Sequence, residues 1–378
     1  MKSVTDIQVL EGIPVLVRAA LNVPVENGVV VNTFRLRSAL PTITYLQERG
    51  ARVILIGHIG EKGTETLEPV YKALQPMIPG ITFCPVTTGP EARAAVRALA
   101  PGGVLLLENL RRNGGEKNND AAFAAALAEL ADVFVQDSFD VCHRSHASVV
   151  RLPALLPAYA GLQVVTEVKE LTKALSPAHP SIAIIGGAKF VTKEPVLSKL
   201  LQIYDKVFVG GALANDFIQR QGYPVGASLV SKNVRGEDID ALLTNPKLML
   251  PVDEVVGVLG TSAADRRIVG LTDVGKDLAV LDDGPKTVAL LRDYIQTAKT
   301  VLWNGPLGNY ENGFVEATEE LAKVIAGSSS YSILGGGDTV AAVENAGLAS
   351  HFTFISTGGG AMLDFLATGT LPGISALN

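Results

Sequence analysis

The chain has 378 residues, more than a single hydrophobic core ordinarily serves, so two domains are expected. Hydrophobic residues make up 47% and charged residues 19%, which excludes a disordered chain, and the net charge of −6 argues against a nucleic-acid partner. Two cysteines, Cys84 and Cys142, are too few for a disulfide framework and point to a reducing compartment.

Met1-Lys2-Ser3-Val4-Thr5-Asp6 is polar and carries no secretory signal, and no apolar run approaches the roughly 20 residues of a membrane span. The expected location is the cytoplasm, with no membrane partner. In the first part of the chain, strand-length apolar runs stand at Pro14–Val17, Arg52–Ile56, Val104–Leu107 and Val133–Val135. Helical Ala/Leu/Glu patterns alternate with them, for example Asp120–Leu130, where the short side chain of Asp120 suits a helix N-cap. Arg18, Arg35, Arg111 and Arg144, with His58 and His143, fall at strand ends or in the following loops. One arginine alone reads as a solvated surface residue. Several at one edge of a sheet read as an anion pocket, since the guanidinium fork matches carboxylate and phosphate.

Pro153 and Pro157 break the pattern, a helical stretch runs to about Leu175, and Ser176-Pro177-Ala178-His179-Pro180 closes it. One domain is placed before this connector and one after. The charge divides the same way. Residues 1–155 carry 15 Lys/Arg and 15 Asp/Glu, whereas residues 156–378 carry 17 and 23, so the whole excess lies in the second part.

Strand candidates continue at Ser181–Ile185, Lys206–Val209, Thr300–Leu302, Tyr331–Leu334 and Phe352–Ile355, with a helical pattern at Val315–Ile325. Strands alternating with helices define an α/β class with mainly parallel sheets. Four of these strands end in glycines at which a helical pattern begins: Gly186-Gly187-Ala188-Lys189, Gly210-Gly211-Ala212, Gly335-Gly336-Gly337-Asp338-Thr339 and Gly358-Gly359-Gly360. In a parallel sheet such turns share the carboxyl edge, where helix N-termini attract phosphate. One glycine turn is ordinary turn chemistry; four in one domain favour a nucleotide site. Neither G-x-x-x-x-G-K-[ST] nor G-x-G-x-x-G is present. Lys189 and Lys193 share a helix face by their spacing, and Asp338 suits either a helix cap or a magnesium ion. Cys142-His143-x-x-His146 has no second ligand pair elsewhere and is not read as zinc.

Nine ordered strings make the chain resemble the phosphoglycerate kinase family. They are Leu21-Asn22-Val23-Pro24, Arg35 to Thr42, Leu105 to Arg111, His143 to Ser148, Gly186 to Lys189, Asp283 to Thr287, Trp303-Asn304-Gly305-Pro306, Gly335 to Thr339 and Ser356 to Ala361. The resemblance implies two Rossmann-like domains joined by a hinge helix: residues 1–152 for 3-phosphoglycerate, 153–178 as hinge, 179–364 for nucleotide, and 365–378 returning to the first domain. It implies reversible phosphoryl transfer between ATP and the carboxylate of 3-phosphoglycerate, in a monomer, with hinge closure excluding water. Asn22, Arg35, His58, Arg111 and Arg144 would bind phosphoglycerate. Lys189, Lys193, Gly210, Gly211, Gly284, Asn304, Pro306, Glu311, Gly336, Gly337, Asp338 and Thr339 would serve ATP or ADP, with Asp338 on Mg2+. Arg35, Lys193 and the helix N-terminus at Gly337 would carry the transfer.

Two positions depart. Ala20, in Ala19-Ala20-Leu21-Asn22, stands where the family has an aspartate expected on the substrate hydroxyl. Glu61, in His58-Ile59-Gly60-Glu61-Lys62, stands where it has an arginine expected on the substrate phosphate. A kinase with a weakened or rewired pocket, a kinase for another small acid, and an inactive nucleotide-binding homologue all stay open at this point.

Overall fold

The computed structural model describes residues 1–232, 234–260 and 266–378. The chain forms two compact units: Met1–Lys169 with Thr370–Asn378, and Glu170–Gly369. Among the described residues no helix is long and apolar enough to cross a membrane.

The first unit is built on β1 (Pro14–Arg18), a short hairpin of β2 (Val25–Glu26) and β3 (Val29–Val30), β4 (Arg52–Ile56), β5 (Thr82–Cys84), β6 (Val104–Leu107), β7 (Val133–Gln136) and β8 (Ala158–Ala160). The hairpin turns at Asn27 and Gly28, whose φ of 49° and 79° are the two positive torsions a twisted two-residue turn requires. The six remaining strands form one parallel sheet in the order β5-β6-β4-β1-β7-β8. β6 is buried at every position and β1 and β4 at four of five, which is why these segments stand out as unbroken apolar runs. Asp120 caps its helix, accepting the Phe123 N–H at 2.7 Å.

The chain leaves this unit along the helix Leu162–Ala174. Asp137, just past β7, accepts the Gln163 N–H at the start of that helix at 3.0 Å, and burial pushes its carboxyl up to about 7. The C-terminal segment belongs to the same unit, with the Gly373 N–H donating to the Cys142 carbonyl at 2.8 Å.

The second unit holds β9 (Ser181–Ile185), β10 (Lys206–Val209), β11 (Leu248–Met249), β12 (Asp253–Gly257), β13 (Arg267–Gly270), β14 (Ala279–Asp283), β15 (Thr300–Asn304), β16 (Tyr331–Gly335) and β17 (Phe354–Ile355). Six are parallel in the order β11-β10-β9-β15-β16-β17. The other three form a separate antiparallel sheet, β13-β12-β14, which is absent from the expectation of mainly parallel pairing. The strand expected at Phe352–Ile355 is shorter, because Phe352 closes a 3-10 turn on the Ala349 carbonyl (3.2 Å) before pairing begins.

Both large sheets reverse winding about a central strand: β1 lies between β4 and β7, and β9 between β10 and β15. The crevice at the carboxyl ends of such strands is where open α/β sheets take ligands. In the first unit this edge carries the segments after β1, β4 and β6; in the second unit its own edge carries the glycine turns after β9, β10, β15 and β16.

Candidate active site

In the first unit, the loop after β1 carries Asn22. Its side-chain oxygen accepts the Gly60 N–H at 3.0 Å, and its carbonyl accepts from Arg35 Nη1 at 2.6 Å. Arg35 stands in the first turn of the helix Phe34–Glu48, which follows the β2–β3 hairpin in the chain. Asn109, just past β6, ties the neighbouring loops together. It accepts from Ile59 N and Arg111 N at 3.3 and 3.1 Å, and donates to the Ile59 and Glu65 carbonyls at 2.9 and 2.8 Å. These bonds set Arg111 against the segment after β4, where its Nη1 donates to the Gly60 carbonyl.

His58 is buried, with Nδ1 at 3.0 Å from Arg18 Nη2. Burial first, then the charges of Arg18 and Arg111, hold its pKa well below the usual imidazole range. The ring is therefore neutral at pH 7, and because Arg18 is always a donor, the ring proton sits on Nε2. Arg18 itself is fully buried, bonded to Ser148 Oγ, the Ala19 carbonyl and His58. It belongs to the wall that holds His58, a correction to its reading as part of an anion pocket. Arg144 is exposed at a turn in which its N–H donates to Val141. Asn22, Arg35, His58 and Arg111 are thus brought together.

Ala20 and Glu61, the two positions read as departures, lie in the segments after β1 and β4. Ala20 is buried and adds no polar group. Glu61 pairs with Arg111, Oε2 to Nη1 at 3.3 Å, and the Lys117 ammonium donates to its backbone carbonyl at 2.8 Å. Lys62 points to solvent.

In the second unit, the turns after β9 and β15 are locked together. The Gly186 N–H donates to the Asn304 carbonyl at 2.9 Å and the Gly187 N–H to the Pro306 carbonyl at 2.8 Å. A Cβ at Gly186 would collide with the Gly305 and Pro306 carbonyls, so this approach requires glycine. A cleft of about 560 Å3 opens above these turns, lined among others by Lys189, Gly211, Pro306, Glu311 and Asp338. Lys189 adopts the left-handed region at φ 68° and begins the helix Phe190–Ile203. One turn on, Lys193 is buried, its ammonium donating to the Gly186 carbonyl at 2.5 Å. Burial, then the Lys189 charge, lowers its pKa to about 8.

The helix Gly337–Asn345 starts at Gly336, φ 98°, with Asp338 exposed in its first turn and Thr339 Oγ1 accepting the Gly305 N–H at 3.1 Å. A Cβ at Gly337 would meet nothing within 4 Å, so the helix N-terminus opens onto unfilled space. Asn304 lies beneath, its amide donating to the Gly359 carbonyl at 3.3 Å. Gly284 sits apart, packed on Asp253 at the start of the helix Pro285–Thr297, and does not line the cleft. The larger cavity, about 650 Å3, lies where β13, β14 and two helices meet. Its cations Arg266, Arg292 and Lys323 are already paired with Glu316 and Glu320, and among the described residues no glycine turn or open helix N-terminus lines it.

The cleft also uses residues that the sequence reading passed over. Leu229, Leu259, Val280, Leu281 and Tyr310 form apolar walls, and Asp282 lies beside them. Among the described residues no three His, Cys, Asp or Glu side chains gather as a metal site. A magnesium ion fits here differently, through one carboxylate and substrate phosphates, and Asp338 beside an open helix N-terminus meets that requirement.

A cationic pocket on one α/β unit and a glycine-built, lysine-bearing cleft on the other define a phosphotransferase for small anionic molecules. The comparisons give the family. Residues 4–369 match the family model for phosphoglycerate kinase. Phosphoglycerate kinase of Roseiflexus sp. (strain RS-1) is 42% identical, covering 100% of this chain and 99% of that protein. That of Moorella thermoacetica is 43% identical over 96% of this chain and 95% of the relative. Among solved structures, phosphoglycerate kinase of Pyrococcus horikoshii OT3 superposes with a TM-score of 0.89 at 30% identity, covering 100% of this chain and 98% of that one. The Coxiella burnetii structure gives 0.81 at 36%, over 99% and 98%. The chain belongs to the phosphoglycerate kinase family.

Proposed function

We propose that this protein transfers a phosphoryl group reversibly between Mg·ATP and the carboxylate of 3-phosphoglycerate, with a substrate pocket altered at Ala20 and Glu61. The observation that carries the reading is the open N-terminus of the helix Gly337–Asn345, with Asp338 and Lys189 lining one cleft and buried Lys193 behind it. A carboxylate oxygen of the acceptor attacks the γ-phosphorus while the bond to the ADP oxygen breaks, giving an acyl phosphate and ADP. No proton moves, so the protein positions the reactants and offsets spread negative charge. Asp338 would hold a magnesium ion, which would supply positive charge against the phosphates.

Arg111, neutral His58 and Asn22 would hold the acceptor, and Arg35 would face the charge that develops in transfer. Lys193 would serve the transferring group from the nucleotide side, with Lys189, Gly210, Gly211, Asn304, Pro306, Glu311 and Thr339 around the nucleotide. Arg35, Lys193 and Asp338 are all retained, which disfavours an inactive homologue. An enzyme-coupled assay with ATP and 3-phosphoglycerate tests the reading. Turnover dependent on both is expected, and its absence at millimolar acceptor, with folded protein, overturns it.

Lys193 gives a second expected result. The kcat/KM for nucleotide reports ionisation in the unliganded enzyme. Its ammonium titrates at about 8, so kcat/KM falls above pH 8, approaching roughly tenfold per unit. Lys193→Arg, always charged, carries the plateau past pH 9 at a lower level. A wild-type profile flat to pH 9.5 would remove Lys193 from the role.

A further inference from the structure

Four buried carboxyls crowd the adjoining ends of β12 and β14: Asp253, Glu254, Asp282 and Asp283. Two are fully used. Asp253 caps the helix Pro285–Thr297, its oxygens accepting from Lys286 N and Thr287 N at 3.0 and 2.8 Å. Asp282 accepts from Asp283 N at 3.0 Å and from Ala317 N at 3.1 Å, at the start of the helix Glu316–Ala326. Glu254 and Asp283 differ. They stand directly opposite each other in the antiparallel register, so their side chains share one face, with Cβ atoms about 4.5–5.5 Å apart. Neither Glu254 oxygen has a hydrogen-bond partner, and Asp283 Oδ2 has none. Asp283 Oδ1 accepts the Gly211 N–H at 3.1 Å.

We propose that Asp283 is a positioning residue of the nucleotide cleft, holding the Gly210–Gly211 turn, and that a single proton shared with Glu254 keeps it there. The charges acting on the pair are of one sign, those of Asp253 and Asp282. On the elements packed around it, Arg267 of β13 and Lys286 of the Pro285–Thr297 helix are exposed. Across the cavity of about 650 Å3 that Asp283 also lines, Arg266 is paired with Glu316, Arg292 and Lys323 are paired with Glu320, and Glu319 adds a further negative charge. No buried cation among the described residues compensates the pair. Two such carboxyls facing each other cannot both ionise near neutral pH, and they titrate as a unit. Burial and the neighbouring carboxylates push both well above the ordinary range.

Asp283 fills the space behind the turn, for a Cβ on Gly210 would run into its carboxylate. Gly211 lines the cleft with Lys189 and Asp338. When the pair loses its last proton, two buried like charges repel, Asp283 withdraws from the Gly211 N–H, and the cleft wall loosens. Nucleotide affinity then falls as pH rises, and the fall belongs to Glu254 although Glu254 does not line the cleft.

The proposal rests on the cleft being the nucleotide site, and the test separates the two. Mg·ADP affinity is measured by calorimetry from pH 6 to 9.5 in the wild type and in Glu254→Gln, whose amide supplies a permanent donor. Lys193 and Asp282 titrate in both proteins, so the reading is the difference between the curves. The wild type is expected to weaken roughly tenfold more than the variant over that range. Parallel curves overturn the pair; no ADP binding at any pH overturns the nucleotide reading instead. The Glu254 side-chain carbon resonance in 13C-labelled wild type, assigned through backbone correlations, reads the same proton directly if the variant fails to fold. A protonated shift at pH 7 supports the proposal, and an ionised shift already at pH 6 overturns it.

Discussion

Arg35→Ala lowers kcat by roughly a thousandfold, about 4 kcal/mol of barrier, while KM for either substrate changes only a few-fold. Arg35 leaves the first turn of its helix and is held by the Asn22 carbonyl at 2.6 Å, while the Asn22 side chain grips the segment after β4. This bracing fixes a planar cation at the carboxyl edge of the sheet before substrate arrives. A carboxylate that attacks phosphorus needs no general base, so the barrier depends on neutralising charge spread over the phosphoryl oxygens. An interaction made chiefly in the transition state appears in kcat. Arg35→Lys restores the charge without the fork, and should recover about tenfold over the alanine variant. If KM rises and kcat holds, Arg35 is a ground-state binder and its proposed role falls.

The central strands could be read from the sequence because burial on both faces leaves an unbroken apolar run. Arg52–Ile56, Val104–Leu107, Ser181–Ile185 and Lys206–Val209 have the bounds that pattern predicts. Edge strands such as Thr82–Cys84 and Ala158–Ala160 are three residues long and only partly covered, so they leave little pattern. The sheet β13-β12-β14 escaped for another reason. Its two buried strands carry Asp253, Glu254, Asp282 and Asp283, and charged residues inside a strand look like loop. That concealment also hid Asp282 and the apolar wall of Val280 and Leu281 in the cleft. The glycine turns were legible since backbone approach leaves a residue type behind. Side-chain direction leaves none: Arg18 reads like Arg35, yet one is entombed behind His58 and the other stands half-buried at the pocket.

Glu61→Arg lowers KM for 3-phosphoglycerate by tenfold or more and leaves the nucleotide KM unchanged. In the unliganded pocket the Glu61 carboxylate lies 3.3 Å from Arg111 Nη1. Arg111 is buried and already donates to the Gly60 carbonyl, so its remaining capacity for an anion is contested by a carboxylate from its own chain. An incoming phosphate must displace that carboxylate and then sit near its charge. Because the Glu61 side chain is 80% exposed, solvent screens the pair, and the ion pair alone contributes little. The larger gain in Glu61→Arg is therefore the new bidentate contact to phosphate, worth about 1.5–3 kcal/mol, or roughly tenfold to a hundredfold. Glu61→Gln separates the two effects: it removes the competitor without adding a contact, and should improve KM about two- to threefold. Ala20→Asp should help less, since it adds a negative charge beside an anionic substrate and supplies only a hydroxyl contact. The two positions share one ligand, so the double variant need not be additive. An unchanged KM in Glu61→Arg would mean that another cation already holds the phosphate. Lys62, next in the chain and exposed, is the candidate, and Lys62→Ala would then raise KM by about tenfold; no change there would leave the altered pocket without a physical account.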